Sequence, residues 1–202
     1  MNTTENIMEI LPLIFLLLAP TLILSWYYFS RVRDKKPAYY HKNAEKQLRR
    51  MASIRKQKVL RDVTVSVGNK TGAFSHLLVG PFGVLVVTVL DKRGVYYGDA
   101  KSKTWYLDNG KNKQEIPNLY LQTQKSIEVL RELFSKNEIY KVPVEHIMVF
   151  DSYAKKSNCF IGNEIKRFRL NQLRSYLERE EFEKDNGVDE EKIAALLSGE
   201  NK

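Results

Sequence analysis

The stretch Thr71–Gly98, TGAFSHLLVGPFGVLVVTVLDKRGVYYG, decides how the rest of the chain is read. Ala73–Val79 and Val84–Leu90 are apolar, β-branched runs of strand length, joined by Gly80-Pro81-Phe82-Gly83. Proline presets φ there and glycine tolerates positive φ, so four residues suffice to reverse the chain. The second run, Val84-Leu85-Val86-Val87-Thr88-Val89-Leu90, is apolar at nearly every position and does not alternate. That pattern predicts a central strand covered on both faces. Asp91-Lys92-Arg93-Gly94 then turns the chain into a further strand, Val95–Tyr97.

On the N-terminal side, Val59–Val67 alternates as a first strand, and Gly68-Asn69-Lys70 turns it into the meander. Before it, Ala44, Leu48, Met51 and Ala52 mark one face of an amphipathic helix over about Tyr39–Lys56. On the C-terminal side, Thr104–Leu107 followed by Asp108-Asn109-Gly110 reads as one hairpin arm, with the partner arm beyond Lys113 undefined. Pro117 opens a second helix, about Asn118–Phe134, whose inward stripe is Tyr120, Thr123, Ile127, Leu130 and Phe134. Val142–Phe150 is the next buried strand. Ile165–Glu181 turns helical in its second half, and Asp189 caps a last helix, Glu190–Leu197. The order helix, strands, helix, strand predicts an α/β (α+β) core: a mixed central sheet flanked by helices.

The chain has 202 residues, 43% hydrophobic and 11% aromatic, which suits a packed domain with an appendage and excludes general disorder. A single cysteine, Cys159, excludes an internal disulfide framework and any zinc site built on several cysteines; it reads as a small buried hydrophobe. Ile10–Phe29 holds twenty consecutive residues without a charge, long enough at helical rise for the roughly 30 Å of bilayer hydrocarbon. Trp26, Tyr27 and Tyr28 sit where an interfacial aromatic belt would. Glu5 and Glu9 precede the run where a cleaved signal peptide would be basic, so the reading is an uncleaved single-pass anchor in the cell membrane. Arg31, Arg33, Lys35 and Lys36 follow it at once, and residues 1–9 carry no Lys or Arg, which places the C-terminal domain in the cytoplasm.

Arg31–Arg61, which carries twelve Lys or Arg against Asp34 and Glu45, by itself accounts for the whole of the chain's net charge of +9. Arg31, Arg33, Lys35, Lys36, Lys46, Arg49, Arg50, Arg55 and Lys56 are the candidate binding residues of this segment. They suit anionic lipid headgroups beside the span or the phosphates of a nucleic acid; a protein partner is the third candidate. The organisation expected is a short extracytoplasmic N-terminus at 1–9 and an anchor at 10–30. A basic linker at 31–41, marked by Pro37, leads to a domain at 42–160 and a helical extension at 161–202.

From about Lys42 to Cys159 the chain resembles the nuclease-related domain family, NERD. The landmarks are Ala44-Glu45, Ser75-His76, Gly80–Val87, Gly94 with Tyr97 and Gly98, Trp105, Asn118 with Gln122, and Val144–Phe150. The resemblance implies a restriction-endonuclease-like fold and metal-assisted phosphodiester hydrolysis, with a helix Glu, an Asp, a second Glu and a Lys around Mg²⁺. Carried onto this chain, those four positions are Glu45, Ser75, Thr88 and Leu90, with Gln122 beside them. Three of the four are neutral, and Mg²⁺ wants hard oxygen ligands with charge behind them. The expectation is a binding module with no cofactor, no metal site and no hydrolysis. The alternative is an active Mg²⁺-dependent nuclease that combines Glu45 with relocated carboxylates drawn from Asp62, Asp91, Asp99 and Asp151.

Other chemistry is weaker. His76 and His146 lie in or beside strands and read as structural, and His41 falls in the linker. Ser75 and His76 cannot pair as nucleophile and base, because strand neighbours face opposite ways. Ser53-x-x-Lys56 lacks the companion motifs its pattern requires. Tyr96, Tyr97, Trp105 and Tyr106 interleave with Lys92, Arg93, Lys101 and Lys103. That mixture can stack bases, although packing within a hairpin core accounts for it more simply.

Overall fold

A computed structural model describes residues 18–27, 37–150 and 158–199. Residues 18–27 are helical, and Thr21 Oγ1 donates to Leu18 O at 2.8 Å. Among the described residues no helix is long and apolar enough to cross a membrane. The anchor expected at 10–30 lies partly outside the described residues, as do Asp151 and the basic residues Arg31, Arg33, Lys35 and Lys36. The chain divides into a unit at Met1–Lys35 and a second at Lys36–Lys202, which carries the domain.

The domain begins with helix α1, Pro37–Arg55, inside the stretch that the sequence reading gives to a linker. Pro37 occupies the first helical position, where its missing N–H has no partner to lose. A meander of three strands follows, β1 (Lys58–Val67), β2 (Lys70–Gly80) and β3 (Gly83–Val89). The chain then leaves this sheet for β4 (Val95–Tyr97), β5 (Thr104–Asp108) and β6 (Lys113–Pro117), the last being the undefined partner arm. Helix α2 (Leu119–Lys136) is capped by Asn118, whose side-chain oxygen accepts from Leu121 N at 2.9 Å. Strand β7 (Val144–Phe150) runs parallel to β3, and β8 (Asn158–Phe160) parallel to β4. Strand β9 (Arg167–Arg169), helix α3 (Leu173–Leu177) and helix α4 (Glu190–Gly199) complete the fold. Asp189 Oδ1 accepts from Lys192 N at 2.9 Å, as the last helix requires of its cap.

The strands form two mixed sheets, so the architecture is α+β with a second sheet that the sequence reading does not foresee. The five-stranded sheet has order β1-β2-β3-β7-β9 and places β3 in the middle, as its unbroken apolar run predicts. One face packs Leu78, Leu85, Val87 and Val89 against Ala44, Leu48 and Met51 of α1 and Leu173, Tyr176 and Leu177 of α3. The other packs Leu77, Val79, Val84 and Val86 against Ile127, Leu130 and Phe134 of α2 and Ile193 and Leu197 of α4. A third core forms between the four-stranded sheet, order β6-β5-β4-β8, and the ends of β3 and β7. It contains Leu90, Tyr96, Trp105, Leu107, Met148, Phe150 and Cys159.

One break in strand alternation bears on the site. Val59 packs toward the α1 core, yet Val63 and Val65, which share its parity, pack toward α2. Likewise Phe74 belongs to the α2 core and Leu78 to the α1 core. The switch falls where Asp62 adopts φ +50° and the β1–β2 pairing skips Asp62 opposite Ser75. Aspartate is among the few residues other than glycine that tolerate this conformation.

Candidate functional site

Glu45 sits on the half-buried flank of α1, one residue after the core residue Ala44. Arg49, one turn on, donates Nε to its Oε1 at 2.8 Å, and Arg61 of β1 reaches its Oε2 at 3.2 Å. The Arg49 hydrogen bond, opposed by partial burial and aided by the Arg61 charge, holds the Glu45 carboxyl below its usual range. Arg61 also donates Nε to Asp62 Oδ2 at 2.8 Å. Its guanidinium therefore bridges the two carboxylates. Ala38, His41, Lys42, Glu45, Arg61 and Asp62 line a cavity of about 470 Å³.

Beneath that cavity, His41 stacks on His76 with ring centroids 5.5 Å apart and planes 18° apart, and its Nε2 lies 3.8 Å from Asp91 Oδ2. His76 is fully buried, and neither ring nitrogen has a hydrogen-bond partner. Burial, reinforced by the neighbouring His41 charge, pushes its pKa down to about 4. It is a neutral core imidazole.

Thr88 is committed elsewhere. Its Oγ1 lies 3.0 Å from Thr123 Oγ1 of α2 and 3.0 Å from His146 Nε2 of β7. Thr123 Oγ1 donates its one proton to Leu119 O at 2.9 Å, so it must accept from Thr88. Thr88, having given its proton, accepts from His146 Nε2–H, and His146 Nδ1 accepts from Gln124 Nε2 at 3.2 Å. The whole chain is satisfied only with a neutral His146. Tyr120 stacks on that ring at 5.3 Å, and burial lowers its pKa to about 4.

Leu90, onto which the sequence reading carries the family's lysine, is fully buried in the third core. Ser75 is half-buried where the alternation breaks; the β2–β3 ladder stops at His76–Val87, one step short of Ser75 and Thr88. Gln122 is exposed on α2. The structure thus separates the expected set. Glu45 lies on the α1 side of the sheet, Thr88 bonds to α2 on the other, and Leu90 points into a different core.

The relocated carboxylates are also placed. Asp62 shares Arg61 with Glu45, and Asp91 stands by His41. Asp99 Oδ2 accepts from the Ser102 hydroxyl at 2.6 Å and its Oδ1 from the N–H groups of Ser102 and Lys101 at 2.7 Å each, an ordinary turn role that lowers its pKa. Among the described residues no group of three or more His, Cys, Asp or Glu stands where it could hold a metal ion. The donors present do not fit Mg²⁺: where a divalent cation would join Glu45 and Asp62, Arg61 already supplies the positive charge.

A family model described as "Nuclease-related domain" matches residues 37–151, more than half of the chain. The chain belongs to the nuclease-related domain family. No curated protein and no solved structure matches it. Glu45, the carboxylate that the sequence reading expects on the first helix, is paired with two arginines. Of the other expected positions, Thr88 and Leu90 are part of the packing, Ser75 is half-buried and Gln122 is exposed.

The basic segment divides as well. Lys46, Arg50 and Lys56 are exposed, and Arg49 is exposed but paired with Glu45. Arg55, a candidate binding residue in the sequence reading, is half-buried: it donates to Leu177 O and pairs with Glu183 at 2.6 Å. Its role is to fasten the C-terminal segment to α1. Of the interleaved aromatics, Tyr96 and Trp105 are core residues, Tyr96 donating its hydroxyl to Lys92 O at 2.7 Å and Trp105 its Nε1 to Asp99 O at 2.7 Å. Tyr97 and Tyr106 face outward. Sequence reasoning missed Arg61, Thr123 and Phe160. Arg61 is visible only as one cation of the basic segment and Thr123 only as part of the inward stripe of α2, while Phe160 carries no local signal.

Proposed function

We propose that this nuclease-related protein is a membrane-anchored, cytoplasm-facing binding module that engages nucleic acid or a protein partner without cleaving phosphodiesters. The observation that carries the reading is the fate of the family's chemical positions. Thr88 is held in a closed neutral chain with Thr123 and His146, Leu90 is buried, and Glu45 is neutralised by Arg49 and Arg61. A loose phosphoryl transition state is stabilised by positioned cations and metal, and this arrangement offers no carboxylate free to hold the metal. The uncharged run Ile10–Phe29, followed by Arg31, Arg33, Lys35 and Lys36, supports the anchor and its orientation. The exposed cations of α1 support contact with phosphate, on nucleic acid or on anionic headgroups.

The test uses the full chain in mild detergent, offered single- and double-stranded DNA and RNA with Mg²⁺ and then Mn²⁺. Binding without cleavage is the expected result. Metal-dependent cleavage that Glu45→Ala abolishes would establish the alternative, an active site rebuilt around Glu45. Reconstitution into vesicles with and without acidic lipid, followed by protease protection, checks the anchor, the orientation and the lipid contact together.

A further inference from the structure

The four-stranded sheet has an inner face filled by Tyr96, Trp105, Leu107, Ile116 and Cys159. Its outer face should then be polar, as the free face of an antiparallel sheet normally is. It is not. Of the five exposed large hydrophobics described between residues 37 and 199, three lie on this face: Tyr97, Tyr106 and Phe160. Strand register sets them in one row, because Tyr97 pairs with Phe160 on β8 and with Tyr106 on β5. Tyr97 and Phe160 stack with centroids 5.6 Å apart and planes 18° apart. Lys113 Nζ lies over both neighbouring tyrosines, 4.8 Å from the Tyr106 ring centre and 5.7 Å from that of Tyr97.

Neighbouring strands are about 4.8 Å apart, so three aromatic side chains in register form a continuous aromatic row reaching across three strands. Such a surface stacks any base, and a cation beside it meets the phosphate that links successive bases. Lys101, Lys103 and Lys111 are exposed on the loops flanking β5 and extend the positive charge. The next residue in the row, opposite Tyr106, is Glu115. A carboxylate there repels phosphate and ends the platform at β5. A protein-docking patch is argued against by the same lysine, since Lys is depleted from the cores of protein interfaces and Lys113 stands in the middle of this patch.

We propose that the outer face of the four-stranded sheet binds single-stranded nucleic acid, with bases stacked on Phe160, Tyr97 and Tyr106 and Lys113 contacting the backbone. The proposal rests on the binding reading above and gives it a location and a substrate class: unpaired DNA or RNA, because bases inside a duplex present no free faces.

The experiment measures fluorescence anisotropy of labelled oligo-dT, oligo-U and a duplex of equal length against the full chain in mild detergent. The wild type is expected to prefer the single strands and to weaken as salt rises. Each lost stack is worth about fivefold to a hundredfold in affinity. The double variant Tyr97→Leu/Phe160→Leu, which keeps apolar bulk but removes π faces, is therefore expected to weaken binding about tenfold or more. Tyr97→Phe retains the ring and should bind as the wild type does. The thermal midpoints of all variants should match the wild type, since the side chains are exposed. If the wild type binds single strands but the double variant stays within about twofold of it, the platform is overturned while the binding reading stands. Equal affinity for the duplex overturns it too. Failure of the wild type to bind any oligonucleotide removes both and leaves the protein partner.

Discussion

Leu90→Lys places a lysine where the family resemblance would put one, and the structure says what it will do instead. Leu90 has no exposed surface, packs in the core that holds Tyr96, Trp105 and Met148, and donates its backbone N–H to Val149 O at 2.7 Å. A lysine buried there must lose its charge or drag water inward. Full burial depresses a lysine pKa by roughly 3 to 5 units from about 10.4. Near neutral pH, where the unfolded chain holds the proton and the folded chain does not, this costs roughly 4 kcal/mol at 1.36 kcal/mol per unit. That is a large share of the 5–15 kcal/mol typical of a whole domain. At about 2–4 °C per kcal/mol for a chain of this size, the midpoint should fall by roughly 8–16 °C. The sign of the pH effect is fixed: the unfolded state binds more protons, so the variant regains stability as pH rises toward about 10. Urea and thermal melts of the full chain near pH 7 and pH 10 measure both, with Leu90→Met as a volume-matched control costing less than about 1.5 kcal/mol. A Leu90→Lys protein as stable as the control at neutral pH, with no recovery in alkali, would refute the argument. It would mean that the side chain reaches water and that a catalytic lysine could work from this position.

Two further outcomes follow from the buried polar groups. Thr88→Val leaves the His146 Nε2–H without an acceptor and should cost roughly 1–3 kcal/mol in a urea melt. Thr123→Val breaks the same chain, so the double variant should lose less than the sum of the two, and strict additivity would show that the three groups do not act as a unit. His76 and His146 both have folded pKa values lowered to about 4, against about 6.5 unfolded. Their contribution is present above the unfolded value and lost as pH falls from about 6.5 toward 4, where the unfolded chain takes up protons that the folded chain refuses. His76→Leu should therefore remove about half of the acid sensitivity contributed by this pair. It should also raise stability near pH 7, because it replaces two unpartnered buried nitrogens with apolar surface. A loss of stability instead would show that those nitrogens are hydrogen-bonded to water.

Local pattern made much of the fold readable. The Gly80–Gly83 turn, the unbroken apolar run of β3, the Asn109-Gly110 turn and the Asp189 cap each depend on residues within a few positions of one another, and each stands close to where its chemistry predicts. The two-sheet arrangement was not readable, because β8 and β9 are three residues long and carry too little period to register. The site was half legible. Its residue types were visible, including the neutral Ser75, Thr88 and Leu90. Which core each would meet was not visible: for Ser75 it depends on the break at Asp62, whose backbone angle reverses strand parity without any glycine to announce it. The pairing of Arg55 with Glu183 spans more than a hundred residues, so a face of cations that reads as a binding surface in sequence turns out to be partly a fastening.

The family match stops at residue 151, but the folding unit continues. Leu173, Tyr176, Leu177 and Phe182 fill one face of the large sheet, and Val188, Ile193 and Leu197 fill the other. Between them the chain is pinned at several points: Gln57 Nε2 donates to Phe182 O at 2.8 Å, and Asn186 donates its backbone N–H to Pro81 O at 3.0 Å and its Nδ2 to Phe82 O at 2.8 Å. Residues 173–199 act as a buckle, drawn across the strand ends at the β2–β3 turn and closed on both sides. A fragment trimmed to the family-matched portion would open two greasy sockets to water and associate through them, so apparent oligomers of such a fragment would report on the missing buckle and say nothing about the intact protein.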